Sequence, residues 1–451
     1  MKTLTIREIA DAVGGATTAQ GSVTQVCIDN RCVQAGCLFV CIKGERFDGH
    51  AFAKSALEQG AAAVLCAQDL SLPEQILVPD TRVALLELAQ YYRSLFAIPV
   101  VGVTGSVGKT TVKEMTAAVL GAKYNTLKTE GNLNNEIGLP RTLFRICEQT
   151  EAAVIEMGMS HLGEISRLAK AAQPTMGIIG NIGVSHIENL GSQENILKAK
   201  LEILDGMPQD APLILNGDDP FLYGAKVTGR PVYYYGIDNP YCRFKAYNIE
   251  QTPSGTRFTV DYGCGEQAVE LPAMGRHNIY NALAGFTAGF LTGVSPEAAA
   301  NALAGYAPAG MRQRLHTVGS IRFVEDCYNA SPDSVRAAFQ TLHDMQAARR
   351  IAVLGDMLEL GDVSDEAHRQ SGVLAAQQGT DILFLYGEQS KKTASSALEC
   401  GVRTVKHFED KACLAKELLS TLQPEDVVLV KGSRGMKLEE ILQTVYGELE
   451  A

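Results

Sequence analysis

The sequence predicts an α/β protein of three units: a small α/β unit over residues 1–80, a central unit with a mostly parallel sheet over 81–312, and a Rossmann-like unit over 313–451. Three observations point there. A chain of 451 residues exceeds one ordinary domain. The runs Ala152–Ile155 and Met176–Gly180 are continuously apolar, as strands of a parallel sheet buried on both faces are. In the last third, apolar strands at Ile351–Leu354, Ile382–Tyr386, Thr404–Phe408 and Val427–Val430 alternate with helical segments, the doubly wound pattern.

The first unit mixes short strands (Gln25–Ile28, Leu38–Ile42, Ala61–Cys66) with a helix at about Ala51–Gln59, and Leu72-Pro73 and Val78-Pro79 punctuate its end. An amphipathic helix over Thr81–Phe96 leads into the apolar strand Ile98–Val103. Strands and helices then alternate to about residue 312. Within that unit Val232–Leu271 holds short tyrosine-rich segments and turn residues, so an antiparallel patch is expected. Helices at about Asn278–Leu291 and Pro296–Leu303 close the unit.

Composition excludes several classes of function. A net charge of −11 argues against nucleic-acid binding, which needs a basic footprint. The first residues lack a continuous apolar h-region and no apolar run approaches the ~18 residues of a membrane span, so a cytoplasmic protein with no membrane insertion is expected. Eleven cysteines is an odd count without any C-x-x-C pair. Cys27, Cys32, Cys37 and Cys41 lack the two tight pairs of a zinc site, and small buried thiols in a reducing compartment are expected.

The chemistry begins at Thr104-Gly105-Ser106-Val107-Gly108-Lys109-Thr110-Thr111-Val112, between a strand and a helix expected over Lys113–Leu120. Strand, glycine turn and helix are the setting in which backbone N–H groups and a helix N-terminus cradle a polyphosphate. Lys109 would meet the terminal phosphates and the Thr110 hydroxyl a Mg²⁺ ion. The common phosphate-loop pattern wants glycine at Val103, so this is the narrower T-G-x-x-G-K-T form. ATP is the expected cofactor.

Ligands collect at the carboxyl ends of strands in open α/β sheets. Glu156 follows the strand Ala152–Ile155, His186 lies just beyond the next strand, and Lys200 lies on the following helix. A strand-end carboxylate in a nucleotide protein commonly holds the metal, although a solvated strand-end acid would look the same. A lone histidine is more often structural, and Lys200 alone would pass for a surface lysine.

Taken together, Thr104–Thr111, Glu156-Met157-Gly158, Asn181–His186 and Lys198-Ala199-Lys200 resemble, in order and spacing, the central domain of the Mur ligases. The segment Gly275–Ala284 is similar to that family's second nucleotide motif. Four further segments, Thr129–Pro140, Asp326–Pro332, Leu354–Gly361 and Lys431–Met436, resemble the branch that adds D-alanyl-D-alanine, and Lys43–His50 resembles its UDP-substrate domain.

The resemblance implies an ATP-dependent ligase of peptidoglycan precursor synthesis. Its substrates would be UDP-N-acetylmuramoyl-tripeptide and D-Ala-D-Ala, joined through an acyl phosphate to give the UDP-linked pentapeptide, ADP and phosphate. The three units become a UDP-substrate domain, a P-loop ATPase-like domain and a Rossmann-like domain for the incoming dipeptide. The implied catalytic set is Lys109, Glu156, His186 and Lys200, with Mg²⁺ (two ions) held by Thr110, Glu156, His186 and Lys200, the last as a carbamate. Asn278 would lie near the adenine, Asn281 would also contact ATP, Asp326 would accept from the ribose hydroxyls, and Arg312 or Arg314 would reach the phosphates. Asn30, Arg31, Lys43, Gly44, Phe47, Asp48 and His50 would bind the UDP part, with serine or threonine usual where Asn30 stands. Thr129, Asn132, Asn135, Tyr328, Asn329 and Lys431 would complete the substrate sites of a monomer. Whether the tripeptide ends in lysine or diaminopimelate stays open.

Two rivals remain. Folylpolyglutamate synthetases belong to the same family and form amides by the same route, but normally lack a front domain like Lys43–His50. A P-loop switch or binding module without ligation chemistry is the alternative of another class.

Overall fold

In the computed structural model, residues 1–450 are described apart from 46, 253–254 and 309. Arg46, inside the front-domain segment Lys43–His50, therefore lies outside the described residues.

The first unit carries a four-stranded parallel sheet in the order Gln25–Cys27, Cys37–Val40, Ala63–Cys66, Gln75–Leu77. A short antiparallel pair, Leu4–Thr5 with Ser22–Val23, sits beside it. The expected helix near Ala51 is a 3₁₀ turn, Gly49–Phe52, followed by an α-helix, Ala53–Glu58. Cys37, Cys41 and Cys66 are buried, as a reading of small core thiols requires, but Cys32, Cys264, Cys400 and Cys413 are exposed. Among the described residues no cluster of three or more His, Cys, Asp or Glu could hold a metal ion.

Helix Thr81–Ser94 joins this unit to the next. Asp80 starts it by accepting from the N–H groups of Arg82 and Val83, which satisfies two of the donors left free in the first turn. Its buried face carries Leu85, Leu88, Ala89 and Tyr92. The Tyr92 hydroxyl donates to Ile146 O at 2.6 Å and accepts from Lys2 N at 2.7 Å. One apolar cluster runs from Ile6, Leu38 and Leu65 in the front sheet to Ile155, Leu168 and Ile179 beneath the central one. The two sheets are thus set by a shared core rather than by a free linker.

The central sheet has nine strands, in the order Glu266–Leu271, Gly255–Asp261, Phe244–Thr252, Val232–Gly236, Leu213–Asn216, Met176–Ile179, Val100–Thr104, Ala152–Glu156 and Thr126–Lys128. Antiparallel pairing is confined to the three strands between Phe244 and Leu271. Val232–Gly236, expected in the antiparallel patch, is parallel to both neighbours. Its tyrosines fit either pairing, and the connection that crosses over by helix Pro220–Tyr223 decides the direction. The central strands are buried throughout, so their carboxyl ends open on one edge where polar residues are free to collect.

The third sheet runs Arg314–Val318, Ile321–Asp326, Val427–Lys431, Arg350–Gly355, Ile382–Tyr386, Thr404–Phe408. All pairs but the first are parallel. Asp326 and Lys431 are register partners at the carboxyl ends of adjacent strands. No described helix is long and apolar enough to cross a membrane.

Candidate active site

Strand Val100–Thr104 ends in the glycine turn, and helix Lys109–Gly121 begins directly after Gly108. Gly108 has φ +80°, a left-handed conformation open to glycine at little cost, and a Cβ there would also press on Asn281 Oδ1 at 3.0 Å. The neighbouring strand end fixes the turn. Asn181 accepts from the N–H groups of Ser106 (3.0 Å, backbone oxygen) and Val107 (2.9 Å, Oδ1), and donates through Nδ2 to Val107 O at 2.8 Å. Gly183 N donates to Ser106 Oγ at 2.8 Å. The Lys109 ammonium lies inside the turn, donating to Gly105 O at 2.9 Å and Ser106 O at 3.2 Å.

Below the turn, Thr110 Oγ1 donates to Glu156 Oε2 at 2.9 Å, and Asn134 Nδ2 donates to Glu156 Oε1 at 2.8 Å. Both carboxylate oxygens are therefore oriented. Lys113, one helical turn after Lys109 and fully buried, donates to Thr129 O at 2.7 Å and lies 3.8 Å from Glu156 Oε2 and 3.0 Å from Glu114 Oε1. It offsets the charge of two enclosed carboxylates, a burial that would otherwise be costly.

His186 stands at φ +62° at the start of helix Ile187–Leu190. Burial, then the charges of Lys109 and Lys200, pulls its pKa down to about 4, so the imidazole is neutral at pH 7. Lys200 is 2% exposed. Its amine has no hydrogen-bond or ion-pair partner among the described residues. Burial first, and Lys109 second, lowers its pKa well below the usual lysine value. Lys109 is lowered too, by burial chiefly, with Glu156 opposing and Arg312 adding to the shift.

A cleft of about 290 Å³, which Lys200 does not line, separates the phosphate loop, Glu156 and His186 from the third domain. Lys109, Thr110, Glu156 and His186 line one side, Asn278 and Asn281 of helix Arg276–Leu291 its floor, and Arg312, Asp326, Tyr328, Asn329 and Lys431 the other. The Arg312 guanidinium stacks 4.0 Å from the Tyr328 ring centre. Arg314 instead faces Glu325 at 3.9 Å, largely exposed and outside the cleft. Lys431 Nζ bonds Asp326 Oδ2 at 2.8 Å and Asn329 O at 3.0 Å, so these two sequence-selected groups hold each other.

Other expected residues have structural partners. Thr129 is buried and its Oγ1 accepts from Glu156 N at 3.0 Å, while Asn135 Oδ1 accepts from Ile137 N and Gly138 N at the start of helix Gly138–Leu143. Asn132 lines the cleft. Thr104 Oγ1, at the strand's end, is buried without a hydrogen-bond partner among the described residues.

A second cavity, about 700 Å³, lies in the front unit and is lined by Asn30, Arg31, Phe47, Phe52 and Arg141 among others. Arg31 grips Asp29 with Nε–Oδ1 at 2.9 Å and Nη2–Oδ2 at 2.6 Å. That fork holds the Asp29 carboxyl at about 2. Phe47 is 73% exposed beside the cavity. Lys43, Gly44, Asp48 and His50 do not line it. They build the adjoining turn: Gly44 N donates to Phe47 O at 2.9 Å, and the buried His50 ring bridges Asp48 Oδ1 at 2.6 Å and Ala67 N at 2.9 Å. Because Nε2 accepts from Ala67, Nδ1 carries the proton toward Asp48.

Several site residues were not singled out from the sequence. Asn134 stands between two asparagines that were, and Lys113 shares a helix face with Lys109. His277 Nε2 and Asn278 Nδ2 meet Gln313 Oε1 at 2.5 and 3.1 Å, bridging the central and third domains. Arg141 reaches the front cavity from the central domain. None of these pairings carries a local signal.

Comparison with known proteins bears on the whole length. Residues 103–289 match the Mur ligase middle domain, 312–434 the Mur ligase glutamate ligase domain, and 22–100 the Mur ligase family catalytic domain. The chain is 41% identical over 450 residues to the UDP-N-acetylmuramoyl-tripeptide–D-alanyl-D-alanine ligase of Bacillus subtilis, covering 97% of each. Its fold is similar to a crystal structure of MurF from Acinetobacter baumannii (TM-score 0.91, 31% identity, all of both chains). It is also similar to MurF ligase from Thermotoga maritima in complex with ADP (TM-score 0.87, 28% identity, 94% of this chain and 98% of that one). With the phosphate loop, the Thr110–Glu156 pair and all three domains accounted for, the chain belongs to the Mur ligase family.

Proposed function

We propose that this chain is an ATP-dependent ligase that joins D-alanyl-D-alanine to UDP-N-acetylmuramoyl-tripeptide in peptidoglycan precursor synthesis. The observation that carries the reading is a single cleft where the phosphate loop, Glu156 and the third domain converge, in a chain that aligns end to end with relatives named for that reaction. The terminal carboxylate of the tripeptide attacks the γ-phosphorus of ATP, and ADP leaves. The dipeptide amine then attacks the acyl phosphate carbonyl and expels phosphate.

The protein's part is placement and charge. The N–H groups of the phosphate loop and Lys109 hold the transferring phosphoryl. To do so, Lys109 exchanges its bonds to Gly105 O and Ser106 O for phosphate oxygens. Arg312, stacked on Tyr328, adds a cation from the third domain, while Asn278, Asn281 and Asp326 bound the nucleoside side of the cleft. Arg31, Phe47 and Arg141 suit a planar base and a diphosphate in the front cavity. A monomer working in the cytoplasm belongs to the same reading, and one chain furnishes all these groups.

The residues fit Mg²⁺. Thr110 and Glu156 present hard oxygens, and a Mg²⁺ that keeps water and phosphate ligands needs no all-protein cage. Bound there, with His186 toward a second ion, the metal would neutralise charge on the phosphates. Lys200 fits a carbamate. Its buried amine has no partner among the described residues, and burial works against the ammonium and toward the neutral amine that adds CO₂ with loss of one proton, while Lys109 lies close enough to lower its pKa and to balance the new negative charge.

Phosphate release should require ATP, the UDP-linked tripeptide and D-Ala-D-Ala together, with the pentapeptide product seen by mass spectrometry. Running the assay with lysine and with diaminopimelate tripeptides identifies the third residue. Equal release without the dipeptide would favour a simple nucleotide hydrolase.

A further inference from the structure

The turn after strand Arg350–Gly355 carries a group that none of the roles above uses. Glu359 lines the central cleft and is exposed to it. The other cleft-lining carboxylates are engaged, Glu156 by Thr110 and Asn134 and Asp326 by Lys431. Glu359 has neither a hydrogen bond nor an ion pair among the described residues.

The turn is built rather than loose. Met357 N donates to His368 Nε2 at 3.0 Å and Leu358 N to Ser433 Oγ at 2.9 Å, which anchors the residues before Glu359. Leu360 is buried after it, and Val363 N donates to Leu360 O at 3.2 Å. Gly361 packs so closely on Glu188, in the helix that follows His186, that a Cβ would lie 2.5 Å from Glu188 Cδ. Between these anchors Glu359 holds φ +62°, a left-handed backbone that a glutamate adopts only against a steric cost. Such strain persists where the surroundings over-determine it, and it clusters at sites that position a group.

The charges around the cleft say what Glu359 can receive. Lys109, Arg312 and Lys431 all face it and suit phosphates and carboxylates. An incoming dipeptide arrives with an ammonium group and two methyls. Glu359 is the one cleft-lining carboxylate among the described residues with its oxygens free, and Leu358 beside it exposes 43% of its surface as an apolar wall. We propose that Glu359 receives the ammonium group of the incoming dipeptide, with Leu358 against its methyl side, and so selects an acceptor with a free amine. This rests on the ligase reading above.

The test compares wild type with E359Q and E359D at saturating ATP and UDP-tripeptide. The KM for D-Ala-D-Ala should rise at least about tenfold in E359Q, the usual scale for a lost charge-assisted bond, while the KM for ATP stays within about twofold. E359D, which keeps the charge, should recover part of the loss. N-Acetyl-D-Ala-D-Ala, lacking the ammonium, should compete poorly against wild type, and E359Q should erase the preference for the free amine. An unchanged dipeptide KM in E359Q, or an equal rise for ATP, would overturn the inference. Failure of wild type itself to ligate D-Ala-D-Ala would overturn the ligase reading on which it rests, so the two failures are distinct.

Discussion

Lys109→Ala should lose turnover by about 10²–10³-fold while the thermal midpoint hardly moves, because preorganised charge at a transferring phosphoryl is worth that much. Among the described residues the Lys109 ammonium bonds only the carbonyls of Gly105 and Ser106 in its own turn. The turn keeps the Asn181 and Ser106–Gly183 bonds without it. Glu156→Ala should lose as much activity but behave differently toward stability, since it also leaves the buried Lys113 with one carboxylate partner fewer. Steady-state phosphate release with a thermal melt separates these effects. More than about a tenth of wild-type activity in Lys109→Ala at saturating Mg²⁺ would contradict its role.

Lys200→Ala should be nearly inactive, on the order of 10²-fold down, and partly rescued by a small carboxylic acid. The reason is chemical. A free ammonium beside the metal site would repel Mg²⁺, whereas a carbamate would attract it. Burial already favours the neutral amine that adds CO₂. A small carboxylate can occupy the space the side chain leaves and restore the missing charge. Labelled bicarbonate should place a carbamate carbon on wild type and none on the variant. Near-normal activity of Lys200→Ala without added acid would exclude the role.

The nucleotide half of the site was legible because its chemistry is local. A buried strand, a glycine able to hold φ +80° and a helix start lie within a few consecutive residues, and Glu156 and His186 sit at strand ends where any parallel sheet gathers ligands. Lys200 was selected only through resemblance: its spacing along a helix says nothing of the burial that leaves its amine without a partner among the described residues. Asn134 on Glu156, Gln313 on His277 and Arg141 in the front cavity depend on contacts between segments far apart in the chain. Val232–Gly236 was misread for a related reason, because alternation reports which faces are buried but not the direction of the neighbouring strand. His50 shows the converse. Its segment lies within the residues that match the family, yet its ring braces the turn below Phe47 instead of lining the cavity.

The central claim is that the tripeptide carboxylate itself attacks ATP, and isotope transfer tests it most directly. With both oxygens of the terminal carboxylate labelled with ¹⁸O, the oxygen that attacks phosphorus stays with it when the amine expels phosphate. Released phosphate should then carry one ¹⁸O per pentapeptide formed, read by mass spectrometry alongside the product. Unlabelled phosphate, with both labels left on the carboxylate of unligated tripeptide, would mean that water rather than the carboxylate took the phosphoryl group, and would contradict the account.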